Sequence, residues 1–177
     1  MLFRSEIRRI FSYSVIMPSI LTRPALWALA ISSALLVGAL GFQFIGGLAP
    51  CPMCIWQRYA HLAVIAVAAI ALLQPPAKAQ FLFTLGAGSL LLMSAGLALF
   101  HVGVEWKWWQ GPSACSGGSL IGLDPKEAAR RLMETPLVRC DEIAWSLLGV
   151  SMAGYNFLIS LIAALAVAIG LTRDIER

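Results

Sequence analysis

Residues 58–101 read RYAHLAVIAVAAIALLQPPAKAQFLFTLGAGSLLLMSAGLALFH, and between Arg58 and His101 the only formal charge is Lys78. A helix needs roughly 20 mostly apolar residues to cross the hydrocarbon of a bilayer. The run after Lys78 is long enough by itself. The run before it fits only if Arg58 sits at the membrane surface. The Gln74-Pro75-Pro76 step between them stops a helix and permits a tight antiparallel return. The stretch therefore predicts two spans, near 55–73 and 81–101. Working outward, the uncharged windows 24–57 and 143–172 each hold one more, near 25–45 and 150–171.

The composition agrees. Of 177 residues, 59% are hydrophobic and 12% charged, against about 25% charged in a soluble domain. Because backbone groups in lipid must be satisfied internally, the spans are helices rather than strands. The expected fold is an all-α four-transmembrane-helix bundle over 25–171. Glycines in the spans, Gly38, Gly41, Gly86, Gly88 and Gly96, are expected to permit close helix packing. The 13 Lys and Arg against 9 Asp and Glu are too few and too localised for a nucleic-acid surface, and read instead as a topology signal.

Arg4, Arg8, Arg9 and Arg23 in the tail 1–24, Lys78, and Arg173 and Arg177 in the tail 172–177 fall on one side. The positive-inside rule puts that side in the cytoplasm. Met17 offers a second start, which would remove three of these arginines. Loops 46–54 and 102–145 are then exported. The second carries six of the nine acids, and Asp124-Pro125-Lys126-Glu127 begins a short helix there, with an acid cap and proline at its first position. Its apolar stripe, Ala128, Ala129, Leu132 and Met133, suits the membrane surface. Trp56, Trp106, Trp108, Trp109 and Trp145 form an aromatic belt at the exported boundary. Leu48-Ala49-Pro50-Cys51 resembles a lipoprotein cleavage site in outline. The preceding apolar run exceeds a signal core, so the segment is expected to remain as a span.

All four cysteines, Cys51, Cys54, Cys115 and Cys140, lie in these exported loops, where disulfides form in bacteria. A bridge between Cys115 and Cys140 would close a loop worth roughly 3 kcal/mol in the chain-entropy model. A Cys-Pro-Met-Cys bridge constrains almost nothing, so redox chemistry explains it better than stability. Zinc sites bring ligands in two close pairs, and only one pair is close here, so no metal is expected. Cys51 as N-cap with Pro52 at the first helical position puts Cys54 in the first turn of helix 2. The positive helix end and Arg58, four residues on, both favour its thiolate. Gln57 and His61 share that face, His61 serving equally well as a hydrogen-bonded residue inside the bundle.

Cys51-Pro52-Met53-Cys54-Ile55-Trp56-Gln57-Arg58 entering span 2, His101 closing span 3, Pro112-Ser113-Ala114-Cys115 and the later Cys140 together resemble the disulfide bond formation protein B (DsbB) family. The resemblance implies a protein-dithiol:quinone oxidoreductase of the bacterial inner membrane. It would reoxidise a periplasmic DsbA-like thioredoxin-fold protein and pass the electrons to membrane quinone, ubiquinone or menaquinone. It implies that Cys115 receives the partner's thiolate, that Cys140 attacks Cys51, and that Cys54 delivers the electrons beside Arg58 and His101. Resting pairs 51–54 and 115–140, with 51–140 as the turnover intermediate, go with it. Gln57 and His61 join Arg58, Cys54 and His101 as candidate quinone contacts, although Gln57 stands where some members carry an acid. Partners are thus a thioredoxin-fold protein, quinone and the bilayer, and no nucleic acid. The alternatives are a vitamin K epoxide reductase-like thiol oxidoreductase, which would place its CxxC late in the chain, and a non-enzymatic scaffold with structural disulfides.

Overall fold

The structure, a computed structural model, describes residues 18–74, 76–112, 115, 124–126, 129–130 and 138–175. Four helices dominate it: α1 (Pro18–Phe44), α2 (Pro52–Leu73), α3 (Ala77–Glu105) and α4 (Met152–Ile175). Each contains a stretch long and apolar enough to cross a membrane, so the chain is a four-helix membrane bundle. Residues 127–128 and 131–137 of the expected loop segment lie outside the described residues.

The packing has the inverted logic of a bundle in lipid. Large apolar side chains such as Val37, Leu62, Leu92, Ile162 and Leu165 are exposed on the outer surface. The buried faces carry small and polar ones. On α2 the buried set is Met53, Gln57, Ala60, His61, Val64, Ala68 and Ala71, which repeats at helical spacing and marks one inward stripe. On α3, Thr84, Ala87, Leu91, Ser94, Ala95, Ala98 and His101 do the same. Without a hydrophobic drive between helices in lipid, association depends on close packing and interhelical hydrogen bonds. Ala28, Val64, Ala68, Ala87, Leu91, Ala163, Ala164 and Val167 supply the packing.

Helix α3 packs most extensively on α4 and α2, and α1 closes the ring against α2 and α4. Gly88 lies on the α3–α4 contact, where an added Cβ would come within 3.0 Å of Val167. Gly86 faces Val67 of α2 at 3.5 Å. The expectation for Gly38, Gly41 and Gly96 is corrected: a Cβ at any of them meets no atom within 4 Å. They lie on surfaces that no neighbouring helix approaches, and Gly38 lines a cavity instead.

The alternating directions bring four helix ends together: the C-termini of α1 and α3 and the N-termini of α2 and α4. At this end a hairpin of β1 (Ser146–Leu147) and β2 (Val150–Ser151) leads into α4. Its two turn residues, Leu148 and Gly149, have φ of 51° and 80°, the left-handed pair that a two-residue hairpin turn requires. Residues 150 and 151, placed in the fourth span by hydropathy, are therefore strand. Ser151 then caps α4, its Oγ accepting the Gly154 N–H at 3.1 Å.

Candidate functional site

Cys51 ends the first loop as the N-cap of α2, with Pro52 in the first turn. Its Sγ accepts the Cys54 N–H at 3.2 Å, so one of the helix's unsatisfied donors is spent on a sulfur. The Cys51 and Cys54 sulfurs are 2.7 Å apart, and both cysteines are free thiols. Cys51 is pushed well above the usual thiol range, first by its hydrogen bond with the Cys54 sulfur and then by burial. Cys115 and Cys140 form a disulfide, with Cα atoms 5.2 Å apart. Cys51, Cys115 and Cys140 share one small buried cluster with Met53 and Val104, and the half-buried Cys54 packs against it with Val138. Two cysteine pairs far apart in sequence are thus side by side.

His101, on the last turns of α3, reaches the same point. Its Nε2 is 3.7 Å from Cys51 Sγ and 4.0 Å from Glu105 Oε1. Its Nδ1 is 2.9 Å from Gln57 Nε2. Arg58 is held from α1: Nη1 donates to Gln43 Oε1 and Nη2 to the Ala39 carbonyl at 3.2 Å. Its place is thus fixed by α1, while it shares a cavity wall with Cys54. His61 lies deeper. It contacts Ser32 of α1, Ser94 of α3 and Asn156 of α4, so one imidazole ties all four helices together.

A cavity of about 340 Å³ opens beside Cys54, within the size range of small-molecule sites. Its walls are largely apolar, including Ala34, Leu35, Gly38 and Ile159, and Cys54, Gln57, Arg58, His61 and His101 all reach it. Phe42, Trp145 and Tyr155 form an aromatic side, with ring centroids 4.8 Å and 6.2 Å apart in turn. A guanidinium and an imidazole set in an apolar wall fit a flat, mostly apolar molecule with polar oxygens. The same dithiol and His101 place three soft-metal donor atoms within 4.8 Å of one another, a juxtaposition that sequence spacing does not reveal.

At the rim, Trp106, Trp108 and Trp109 meet edge to face in turn, and Trp109 stacks on Phe100 while its Nε1–H donates to the Phe100 carbonyl at 2.9 Å. Gly103 is required beneath it, since a Cβ there would overlap the Trp109 ring. Lys107 and Arg139 both pair with Asp141, fastening the segment around Cys140 to the end of α3. Asp141 is held far below the usual carboxylate range, first by Arg139 and then by Lys107.

Reading the residues alone missed Glu105, Asn156, Gln43 and Ser32. Glu105 carried a signal: it is an acid one helical turn after His101, at the end of an apolar span. The other three are neutral polar residues in spans whose inward faces hydropathy does not mark.

The family model for Disulfide bond formation protein DsbB matches residues 22–170. The chain is 35% identical over 144 residues to the Disulfide bond formation protein B of a Polaromonas species, covering 79% of this chain and 84% of that one. It is 30% identical over 162 residues to the protein of that name from Pasteurella multocida, covering 88% and 89%. No solved structure matches it.

Proposed function

The chain belongs to the disulfide bond formation protein DsbB family and is a membrane protein of disulfide bond formation; from that premise we propose that it is a protein-dithiol:quinone oxidoreductase. The observation that carries this reading is the packing of a disulfide, Cys115–Cys140, against a dithiol, Cys51 and Cys54, beside one apolar cavity. A scaffold with structural disulfides has no use for a dithiol facing a cavity.

The cycle follows from thiol–disulfide exchange. A thiolate of a reduced thioredoxin-fold partner attacks Cys115, and Cys140 leaves as thiolate. The partner's second thiol resolves the mixed disulfide, leaving the partner oxidised and Cys115 reduced. Cys140 attacks Cys51 of an oxidised 51–54 pair, and Cys54 leaves as thiolate. Cys115 then attacks Cys140, restoring the 115–140 bond and freeing Cys51. Two electrons and two protons have moved from the partner to Cys51 and Cys54.

A quinone, when bound, supplies an acceptor for two electrons and two protons. In this chain Arg58 and His101 would hold its oxygens, with the apolar wall against its ring and Cys54 beside it. Gln57 supports His101 by their hydrogen bond. The same reading takes the tails 1–24 and 172–177 as cytoplasmic, 25–171 as the membrane domain, and the cysteine loops as periplasmic.

The test is quinone reduction by the purified protein given a reduced thioredoxin-fold donor. The expected result is one quinol per donor disulfide, abolished by replacing any one cysteine. Cys140→Ser should accumulate the donor on Cys115 as a mixed disulfide. Donor oxidation that goes on past the disulfides the protein itself holds, without quinone or oxygen, would sink the proposal.

A further inference from the structure

The bundle holds a continuous hydrogen-bonded chain that leads from its interior to the dithiol. Ser32 Oγ lies 3.3 Å from His61 Nδ1, and His61 Nε2 lies 2.9 Å from Asn156 Oδ1. Asn156 Nδ2 donates to Gln57 Oε1 at 2.6 Å, and Gln57 Nε2 lies 2.9 Å from His101 Nδ1. His101 Nε2 ends the chain, facing Cys51 Sγ and Glu105. A neutral imidazole donates at one nitrogen and accepts at the other, and an amide does the same at its two ends. Polarity therefore propagates: fixing one end fixes every proton along the chain.

The directed bonds at Asn156 fix it, and Glu105 closes the other end. Ser151 Oγ accepts the Gly154 N–H at 3.1 Å, which leaves its own proton for Glu105 Oε2 at 2.5 Å. Glu105 Oε2 is thus an acceptor, and Oε1 lies 4.0 Å from His101 Nε2, too far for a hydrogen bond; it is Asn156 Nδ2, donating to Gln57 Oε1, that leaves Gln57 Nε2 to donate to His101 Nδ1 and the His101 proton on Nε2. His101 Nδ1 then accepts from Gln57, Gln57 Oε1 from Asn156, and Asn156 Oδ1 from both His61 and Ser160, the latter at 2.9 Å. At the far end His61 Nδ1 accepts the Ser32 hydroxyl, and Ser94 Oγ takes a second share of the His61 Nε2–H at 3.2 Å.

We propose that Asn156 and His61 are positioning residues: through Gln57 they hold His101 in one tautomer, with its Nε2–H aimed at Cys51. His101 then serves as a hydrogen-bond donor to negative charge arising at the dithiol or on a bound acceptor, and not as a base. This rests on the proposed oxidoreductase reading only for its consequence. The tautomer itself is a property of the chain alone.

The chain has two histidines, so the 15N spectrum of histidine-labelled, bilayer-reconstituted protein contains two rings, which a His61→Asn variant assigns. The wild type should show both rings as pure Nε2–H tautomers in the reduced protein. A His101 ring bearing its proton on Nδ1, or divided between tautomers, would overturn the proposal. Asn156→Leu removes the donor to Gln57 and should bring in the Nδ1–H form of His101. Asn156→Ala serves if that variant fails to insert. A His101 ring that stays wholly Nε2–H in the folded variant also overturns it. Quinone reduction should fall roughly tenfold to a hundredfold, as when an outer partner orienting a reacting imidazole is lost. Expected spectra in a protein that reduces no quinone would defeat the functional reading and leave the positioning intact. Normal turnover with the wrong tautomer would do the reverse.

Discussion

Arg58 at the second turn of α2 invites two readings, a cation that snorkels to the interface and a group that serves the dithiol. The structure favours a third component, since the guanidinium is gripped by Gln43 and the Ala39 carbonyl of α1. A planar fork can satisfy both partners and still turn an N–H toward the cavity, whereas an ammonium has no such fixed geometry. Arg58→Met should therefore raise the quinone concentration for half-maximal rate by about tenfold or more, the size expected for losing a charge-assisted hydrogen bond. Arg58→Lys should fall between it and the wild type. Gln43→Leu should produce a smaller change in the same direction, because it frees the guanidinium without removing it. Steady-state quinone reduction at constant membrane content checks all three. Unchanged kinetics with lowered protein level in Arg58→Met would return the residue to a purely interfacial role.

At the scale of elements, the end of α3 and the segment after it carry the second cysteine pair, and one carboxylate fastens them. Asp141 bonds Arg139 and Lys107, and the Lys107 Nζ also donates to the Asp141 carbonyl at 2.8 Å. Because folding lowers the pKa of Asp141 below its unfolded value, the stabilisation is complete above the ordinary carboxylate value of about 3.9. It is lost as the pH falls through the depressed folded value. Acidification below about 3.9 should thus loosen residues 138–142 before the helices. Amide exchange, corrected for its intrinsic pH dependence, should show protection falling there first. Asp141→Asn should reproduce the effect at neutral pH, and molar salt should weaken the exposed pairs. Uniform protection across that range would show that the disulfide alone holds the segment. None of this fastening was legible in the sequence, where Arg139 and Asp141 flank Cys140 with opposing charges and Lys107 is more than thirty residues away. The helices were legible because hydropathy reports length and charge. Their inward faces were not, because in lipid the apolar residues point outward, and Ser32, Ser94 and Asn156 look like ordinary polar interruptions until the helices are rotated into place.

Across the whole molecule, the proposed exchange pathway requires that the loop before α2 and the segment before α4 meet, although Cys51 and Cys140 are far apart in the chain. The bundle arranges this by bringing four helix ends together, and the two cysteines pack in one cluster. Removing the other two should expose the link. In a Cys54→Ser, Cys115→Ser double variant, Cys51 and Cys140 each lose their neighbouring partner but keep their shared burial. The thiols that remain should join spontaneously on mild oxidation into a 51–140 bridge, tying the start of α2 to the segment after α3. Non-reducing mass spectrometry of proteolytic fragments would identify it. The complementary pair, Cys51→Ser with Cys140→Ser, leaves Cys54 lining the cavity and Cys115 buried inside the cluster that Cys54 only packs against, and should form far less bridge under the same oxidant. Equal bridging in both variants would mean that proximity alone governs, and Cys140 to Cys51 would lose its place as the favoured step. No bridge in the first variant, with the helices intact, would remove the direct transfer between the pairs altogether.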